Sequence, residues 1–403
     1  MTPSRRRRVE TLVVLGGVST MGSVSTDMYF PALPRTAHDL GVGTSAIQLT
    51  VTAFLIGLAF GQIVGPISDV RGRRIPLLTG VVVYIVACLG CALAPSLGIL
   101  VLARALQGFA AAAGVVITRA IIRDLYSGPD VARYYSRLFF MIAMVAIASP
   151  VVGTQVLTFT TWRGIFFIQV GLGVLILLVT TLRLPETLPL TKRRAPSARL
   201  QGFTLLHLLR DRRFVVYALT MACGGSTLVV LVSAAPFLIP NEYRVPLHSF
   251  GFIFSAGALA VMCSTLLNSK LLGRFSERRL LIYGFAGNVT CGVALLTIGH
   301  VSVWMFAVCF VSLIGSWGFI AANVTALAVR DYQRRAGSAI AVFGLFQYGV
   351  GGLAAPAVAI AGHETVDRVG LFVLILGLLG GAGAALGVSR DRRRLLAETA
   401  STG

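Results

Sequence analysis

Twelve apolar stretches of about twenty residues follow one another along this chain, and few architectures can accommodate them. They lie near 11–33, 45–66, 74–95, 98–120, 134–157, 162–182, 214–239, 248–269, 280–299, 302–327, 338–360 and 369–388. An α-helix rises about 1.5 Å per residue, so about twenty residues cross a hydrocarbon layer roughly 30 Å thick with every backbone hydrogen bond made internally. With 56% hydrophobic and 12% charged residues, the 403-residue chain also lacks the polar surface of a water-soluble fold of its size. The expectation is an all-α membrane protein with twelve transmembrane helices, held in the lipid bilayer of the cytoplasmic (inner) membrane. Runs of about ten alternating residues, the mark of an outer-membrane barrel, are not seen.

The formal charge of +20 invites a nucleic-acid reading, but the distribution of basic residues points to topology instead. With the N-terminus cytoplasmic, the outer loops hold only Arg35, Arg163, Arg244 and Arg368; Arg104 lies within a span, and the other thirty of 35 basic residues face inward. That asymmetry follows the positive-inside rule, puts both termini in the cytoplasm and argues against nucleic acid as a partner. Arg5 to Arg8 resemble the basic start of a signal peptide, yet no small-residue cleavage site follows, so the first span is expected to be retained. All six cysteines fall within spans, and Cys88-Leu89-Gly90-Cys91 reads as small packing residues in a helix. No metal site, cofactor or Walker-type nucleotide loop is expected.

The chain is written twice. Pro31 and Pro34 answer Pro236 and Pro240, Arg73-Arg74 answers Arg278-Arg279, Arg123-Asp124 answers Arg330-Asp331, and Pro150 answers Pro356. A repeat of six spans is the signature of a transporter whose halves rock about a central site. The expected domains are a six-helix bundle over 1–182, a basic, proline-containing cytoplasmic linker over 183–213, a second bundle over 214–388 and a cytoplasmic tail over 389–403. The two bundles are expected to be related by a pseudo-two-fold axis.

Two charges break this repeat. Asp27 is the only acid inside a span, and its counterpart is Val232; Arg104 has an apolar counterpart within Cys309 to Val311. A carboxylate in hydrocarbon costs several kcal/mol and usually faces a water-filled cavity on an ion or substrate pathway. At 1.5 Å per residue, Asp27 lies about 22 Å and Arg104 about 21 Å from the inner face, a depth match that allows the two to couple. The competing readings are a wet, frayed helix end for Asp27 and, for Arg104, snorkelling to the outer interface about 9 Å away. Ser23 and Thr26 lie near Asp27 around the first helix, and Thr50, Gln155, Ser233, Asn323 and Gln347 are polar within apolar spans. With Asp27, these are the candidate substrate contacts, each equally suited to interhelical hydrogen bonding.

Between spans two and three stands Gly65-Pro66-Ile67-Ser68-Asp69-Val70-Arg71-Gly72-Arg73-Arg74, whose G-x-x-x-D-x-x-G-R-R spacing resembles the loop motif of the major facilitator superfamily. Its physical sense is a cytoplasmic gate built from Gly65, Asp69, Gly72, Arg73 and Arg74, with Asp124 the expected partner of Arg73. The second copy has Arg274 in place of Asp69, so the gate should be asymmetric. Arg104-Ala105-Leu106-Gln107-Gly108 resembles the R-x-x-Q-G motif of proton-coupled members. Ala148-Ser149-Pro150-Val151-Val152-Gly153 resembles the antiporter G-P-x-x-G-G motif, with Ser149 and Thr154 replacing two glycines. Trp162-Arg163-Gly164-Ile165-Phe166 and Leu184-Pro185-Glu186-Thr187 also look like the superfamily. Together with Asp27 and Pro31-Ala32-Leu33-Pro34, they make the chain resemble the bicyclomycin and chloramphenicol resistance (Bcr/CflA) branch of drug/proton antiporters.

The resemblance implies a major facilitator fold and proton-driven export of small, mostly lipophilic antibiotics, with no enzymatic activity. It assigns proton coupling to Asp27 and Arg104 and the antiporter-like element to Pro150 and Gly153. The expected partners are a small-molecule drug, protons and lipid, and a monomer is expected. Dedicated export of an endogenous natural product is the main alternative; proton symport and a non-transporting sensor are the others.

Overall fold

The computed structural model describes residues 5–126, 129–193, 209–246, 248–330, 336–360 and 365–401. Asp331, one member of the repeat, and 194–208 of the expected linker lie outside them. Every regular element described is helical. Among the described residues, ten helices are long and apolar enough to cross a membrane, against the twelve spans expected. The first helix falls short because Ser19, Thr20, Ser23, Ser25, Thr26 and Asp27 dilute its apolar character. The eleventh expected span is described only in part, its described apolar stretch being Val342–Ala354 within the helix Ala336–Ile360.

By contacts the chain divides into two compact units, one comprising Met1–Pro196 with Leu247–Ser255, the other Ser197–Pro246 with Ala256–Gly403. The first unit is built from α1 (Arg5–Asp27), α2 (Leu33–Asp39), α3 (Thr44–Phe60), α4 (Val64–Arg71), α5 (Arg74–Ala92), α6 (Leu97–Leu125), α7 (Pro129–Phe159) and α8 (Trp162–Arg183). Most of α9 (Arg212–Asn241), α10 (His248–Leu271), α11 (Glu277–Thr297), α12 (Val303–Val329), α13 (Ala336–Ile360) and α14 (Val366–Ser401) belongs to the second. In the first unit α1 packs on α6, α7 and α8, and α5 on α6 and α8. In the second α9 packs on α12, α13 and α14, and α11 on α12 and α14. The internal repeat is thus a repeat of packing as well as of sequence.

One expected boundary is corrected. The span placed at 11–33 ends as an α-helix at Asp27, followed by a 3₁₀ turn at Phe30–Ala32 and the short α2. Pro31 has no N–H to continue the ladder, so the chain turns, yet Met28, Tyr29, Phe30 and Leu33 are buried and the end is not frayed. At the other terminus α14 is helical as far as Ser401, through most of the stretch expected as a cytoplasmic tail.

Close backbone contact fixes the register of α3 against α6. A Cβ added to Gly57 would lie 2.0 Å from the Ala105 carbonyl oxygen, and one added to Gly108 would lie 2.0 Å from that of Phe54. Small residues let the two backbones touch, which is how helices gain dispersion energy where lipid removes the hydrophobic advantage of larger side chains. At one end of this unit, Asp39 accepts hydrogen bonds from Trp162 Nε1 (2.8 Å) and Arg163 Nη1 (2.5 Å). These two donors hold the Asp39 carboxyl below its ordinary pKa and tie α2 to α8.

Candidate functional site

The turn after Asp27 creates the site's most consequential acceptor. Tyr29 N–H bonds to Thr26 O (3.1 Å) rather than to Ser25 O, so the Ser25 carbonyl loses the donor that a continuing helix would supply. Arg104 takes that place, Nη1 donating to Ser25 O at 3.0 Å and to Gln107 Oε1 at 2.6 Å. The Arg104 side chain is fully buried, so it does not snorkel. Its guanidinium carbon sits 4.3 Å from the ring centre of Phe54 and 4.7 Å from that of Tyr29. Nε and Nη2 have no acceptor among the described residues. The cation is therefore stabilised by two π faces and by the negative pole of a helix C-terminus.

Gln107 is held in turn. Its Nε2 donates to Gln169 Oε1 (2.7 Å) and to Cys88 Sγ (3.0 Å), while Gln169 Nε2 reaches back to Val24 O at 3.4 Å. Ser25 Oγ donates to Met21 O (2.7 Å) and shares a hydrogen bond with the Tyr84 hydroxyl at 2.6 Å. Tyr29 shares a 3.1 Å hydrogen bond with Thr50 Oγ1, and its ring lies 5.3 Å from that of Phe166. Four helices thus converge on the last turn of α1. Asp27 is partly buried and makes no hydrogen bond or ion pair among the described residues, so Arg104 and Asp27 are neighbours through the backbone of α1 without being paired. From α7, Gly153 meets the same turn: a Cβ there would lie 2.5 Å from the Met28 carbonyl oxygen. Pro150 lies one turn earlier inside α7.

The other polar candidates are placed as follows. Thr50 is buried and bonded to Ile47 O as well as to Tyr29. Thr26 donates to Gly22 O, and Ser23 is partly buried. Gln155 is exposed. In the second unit, Ser233 donates to Val230 O and Asn323 to Asn268 Oδ1 (2.7 Å) and Phe319 O, so both are engaged within their own bundle. Gln347 is partly buried beside Gly225.

Gly72 closes α4 with a φ of 92°, which only glycine adopts without strain. That reversal brings Arg73 between two carboxylates. Nε donates to Asp124 Oδ2 (2.8 Å), and Nη1 to Asp69 Oδ1 (2.5 Å) and Ser68 Oγ (2.7 Å). Burial acts to lower the Arg73 pKa, but the hydrogen bonds to Asp124 and Asp69 outweigh it and raise the pKa above its ordinary value. Gly65 packs against Val116. Glu186 completes the cluster: Oε1 accepts from Arg73 N (2.9 Å) and Oε2 from Arg74 N (3.2 Å), capping the start of α5. Arg74 also donates through Nη2 to Thr181 O. Sequence reasoning noticed the stretch around Glu186 but assigned it no partner. In the second copy Arg274 is exposed and in no ion pair among the described residues.

Helical bundles of this order, with a polar knot where a broken helix ends inside apolar surroundings, are the architecture of a multi-pass transporter. The chain belongs to the Major Facilitator Superfamily, whose model it matches over residues 15–356. It is 34% identical over 399 residues to an uncharacterized MFS-type transporter, YdgK, of Bacillus subtilis strain 168, covering 97% of this chain and 98% of that one. A chloramphenicol resistance protein of Pseudomonas aeruginosa is 31% identical over 83% of this chain and 80% of its own. A bicyclomycin resistance protein homolog of Haemophilus influenzae is 27% identical over 86% and 88%. Among solved structures, a bacterial homolog of the human lysosomal transporter Spinster superposes with a TM-score of 0.74 at 14% identity, covering 96% of this chain and 99% of that one. The nucleoside transporter NupG gives 0.77 at 13% identity, covering 94% and 98%. The protein is a multi-pass protein of the bacterial inner membrane.

Proposed function

We propose that the protein exports small, mostly lipophilic antibiotics of the chloramphenicol and bicyclomycin kind in exchange for protons, by alternating access. The observation that carries this reading is the buried, carboxylate-free Arg104 seated on the carbonyl end of α1 beside the unpaired Asp27. In this cycle ionised Asp27 favours drug loading from the cytoplasm, and a proton arriving from outside weakens drug binding and drives release. Arg104 keeps its charge throughout and compensates Asp27 or the helix end as the cycle requires. Arg73, with Asp69, Asp124 and Glu186, forms the cytoplasmic gate, and Pro150 and Gly153 let α7 lie close to the Asp27 turn. The resistance proteins among its relatives support the substrate class. The working unit is a monomer with twelve crossings and both termini in the cytoplasm.

Drug-driven proton release from the purified protein tests this. Wild type should release protons when chloramphenicol is added at a pH where Asp27 is protonated, and Asp27→Asn should release none. Normal release from Asp27→Asn would remove the assignment.

A further inference from the structure

The loop between α10 and α11 is the second copy of the loop between α4 and α5, with one of its charges reversed. In the first copy Asp69 and Asp124 hold Arg73, and Arg74 turns its Nη2 back onto Thr181 O, so the paired cations are engaged by acceptors of their own unit. In the second copy Arg274 stands at the position of Asp69, and Arg279 at that of Arg74. The stretch 270–279 carries four cations and one acid, Glu277. Lys270, Arg274 and Arg279 are exposed, and among the described residues none of them is in an ion pair or donates a side-chain hydrogen bond.

The backbone sets these cations on a shaped platform. Gly273 has a φ of 106°, an isolated bridge pairs Leu272 with Phe275, and Phe275 N–H returns to Leu271 O at 2.9 Å. The Phe275 ring then lies 6.3 Å from that of Tyr283. Tyr283 is one turn beyond Arg279 on α11, so Arg274 and Arg279 flank the same aromatic pair. Ile282, Tyr283, Ala286 and Val293 follow Arg279 at helical spacing and are all exposed, as is Leu272 in the loop. Since α11 is one of the helices long and apolar enough to cross the bilayer, Arg279 heads its hydrocarbon-facing stripe at headgroup depth.

We infer that this loop is a binding surface for an anionic phospholipid of the surrounding bilayer, Arg274 and Arg279 taking the headgroup phosphate while Leu272, Ile282 and Tyr283 lie along its acyl chains. A guanidinium presents paired N–H donors that match the oxygens of a phosphate. An acidic protein segment would match the charge but leave the apolar stripe beneath it uncovered; a ligand with both a phosphate and hydrocarbon chains matches both. Each basic side chain at a membrane surface contributes about fivefold to affinity for anionic lipid, and Glu277 offsets one of them. The surface lies outside the Asp27 and Arg104 site, and its test does not depend on transport.

The experiment titrates dioleoyl phosphatidylglycerol, dioleoyl phosphatidylcholine, glycerol 3-phosphate and a polyglutamate peptide into delipidated protein in detergent and reads the bound species by native mass spectrometry. The proteins are wild type, Arg274→Asp, which restores the acid of the first copy, Arg279→Gln and Arg244→Asp. Arg244 is exposed at the opposite end of α10 with a φ of 53°, a conformation that Asp tolerates, so Arg244→Asp makes the same charge change away from the loop. Wild type should bind phosphatidylglycerol more tightly than the other three ligands. Arg279→Gln should weaken phosphatidylglycerol about fivefold and Arg274→Asp, a change of two charges, about twenty-five-fold, with phosphatidylcholine unaffected. Arg244→Asp should bind like wild type. Unchanged phosphatidylglycerol affinity in Arg274→Asp and Arg279→Gln, or an equal loss in Arg244→Asp, overturns the inference. Glycerol 3-phosphate bound as tightly as phosphatidylglycerol would make the ligand a free phosphate, and a tighter polyglutamate peptide would make it an acidic protein segment; either result overturns the lipid.

Discussion

At the pH values a bacterium meets, the Arg104 guanidinium does not lose its proton, so its burial has to be compensated by neighbours. In the usual arrangement a carboxylate would do this, and depth arithmetic pointed to Asp27. The structure uses Ser25 O, Gln107 and two aromatic faces instead, and Asp27 stays unpaired among the described residues. Both charges were legible in the sequence because each stands alone in an apolar run. The acceptor was not, because a backbone carbonyl becomes available only where the chain turns. Glu186 was hidden for a related reason: it caps α5 from more than a hundred residues away. Its role gives a test with a definite sign. Burial acts to raise the Glu186 pKa, but the backbone N–H groups of Leu188, Arg73, Arg74 and Thr187 outweigh it and hold it below the ordinary 4.5. A carboxylate with a lowered folded pKa contributes stability that is present above about pH 4.5 and is lost as pH falls through the folded value. Glu186→Gln should therefore melt below wild type at pH 7, by about 1 kcal/mol, the typical worth of a helix cap. Melting curves of the two purified proteins should converge below about pH 4.5, and a gap that persists there would argue against the cap.

Helix existence was readable from apolar length, but helix ends were not, because ends depend on hydrogen bonds that composition does not report. The first span shows it. Met28, Tyr29 and Phe30 continue the apolar pattern past Asp27, while Pro31 stops the ladder, and the hydrogen bonds follow the proline. Packing between elements was legible only in part. The R-x-x-Q-G motif identified Arg104 and Gln107, whereas Gly108 proves to be the point at which α6 touches α3. The Phe54 carbonyl it meets belongs to the residue whose ring covers Arg104, so α3–α6 separation and the environment of the cation are one variable. Gly108→Ala must push the backbones apart, at a cost of about 1–3 kcal/mol for overpacking. Gly171→Ala on α8, where an added Cβ meets nothing within 4 Å, should melt like wild type. Thermal unfolding in detergent separates the two, and a Gly108→Ala protein as stable as Gly171→Ala would mean the contact is softer than its geometry states.

For the molecule as a whole, the two units repeat one packing pattern, and what differs between them bears on the energy source proposed above. Asp27 is the only carboxylate within the apolar stretches, and its counterpart in the second unit is the buried, uncharged Val232. In the proposed cycle, a single titrating site carries one proton. Exchange of one inward proton for one outward neutral drug then moves one positive charge inward, whereas exchange for a monovalent cation moves none. The membrane potential contributes about 2.3 kcal/mol per charge per 100 mV, so an inside-negative potential of that size should raise the limiting outward gradient of a neutral drug about fiftyfold and leave that of a monovalent cation unchanged. Proteoliposomes with a fixed pH gradient and a potassium-clamped potential measure both. Voltage dependence of the cation would require a second proton site that the apolar spans do not contain, and voltage independence of the neutral drug would mean that no proton is exchanged for it; after either result, one proton at Asp27 would no longer account for the cycle.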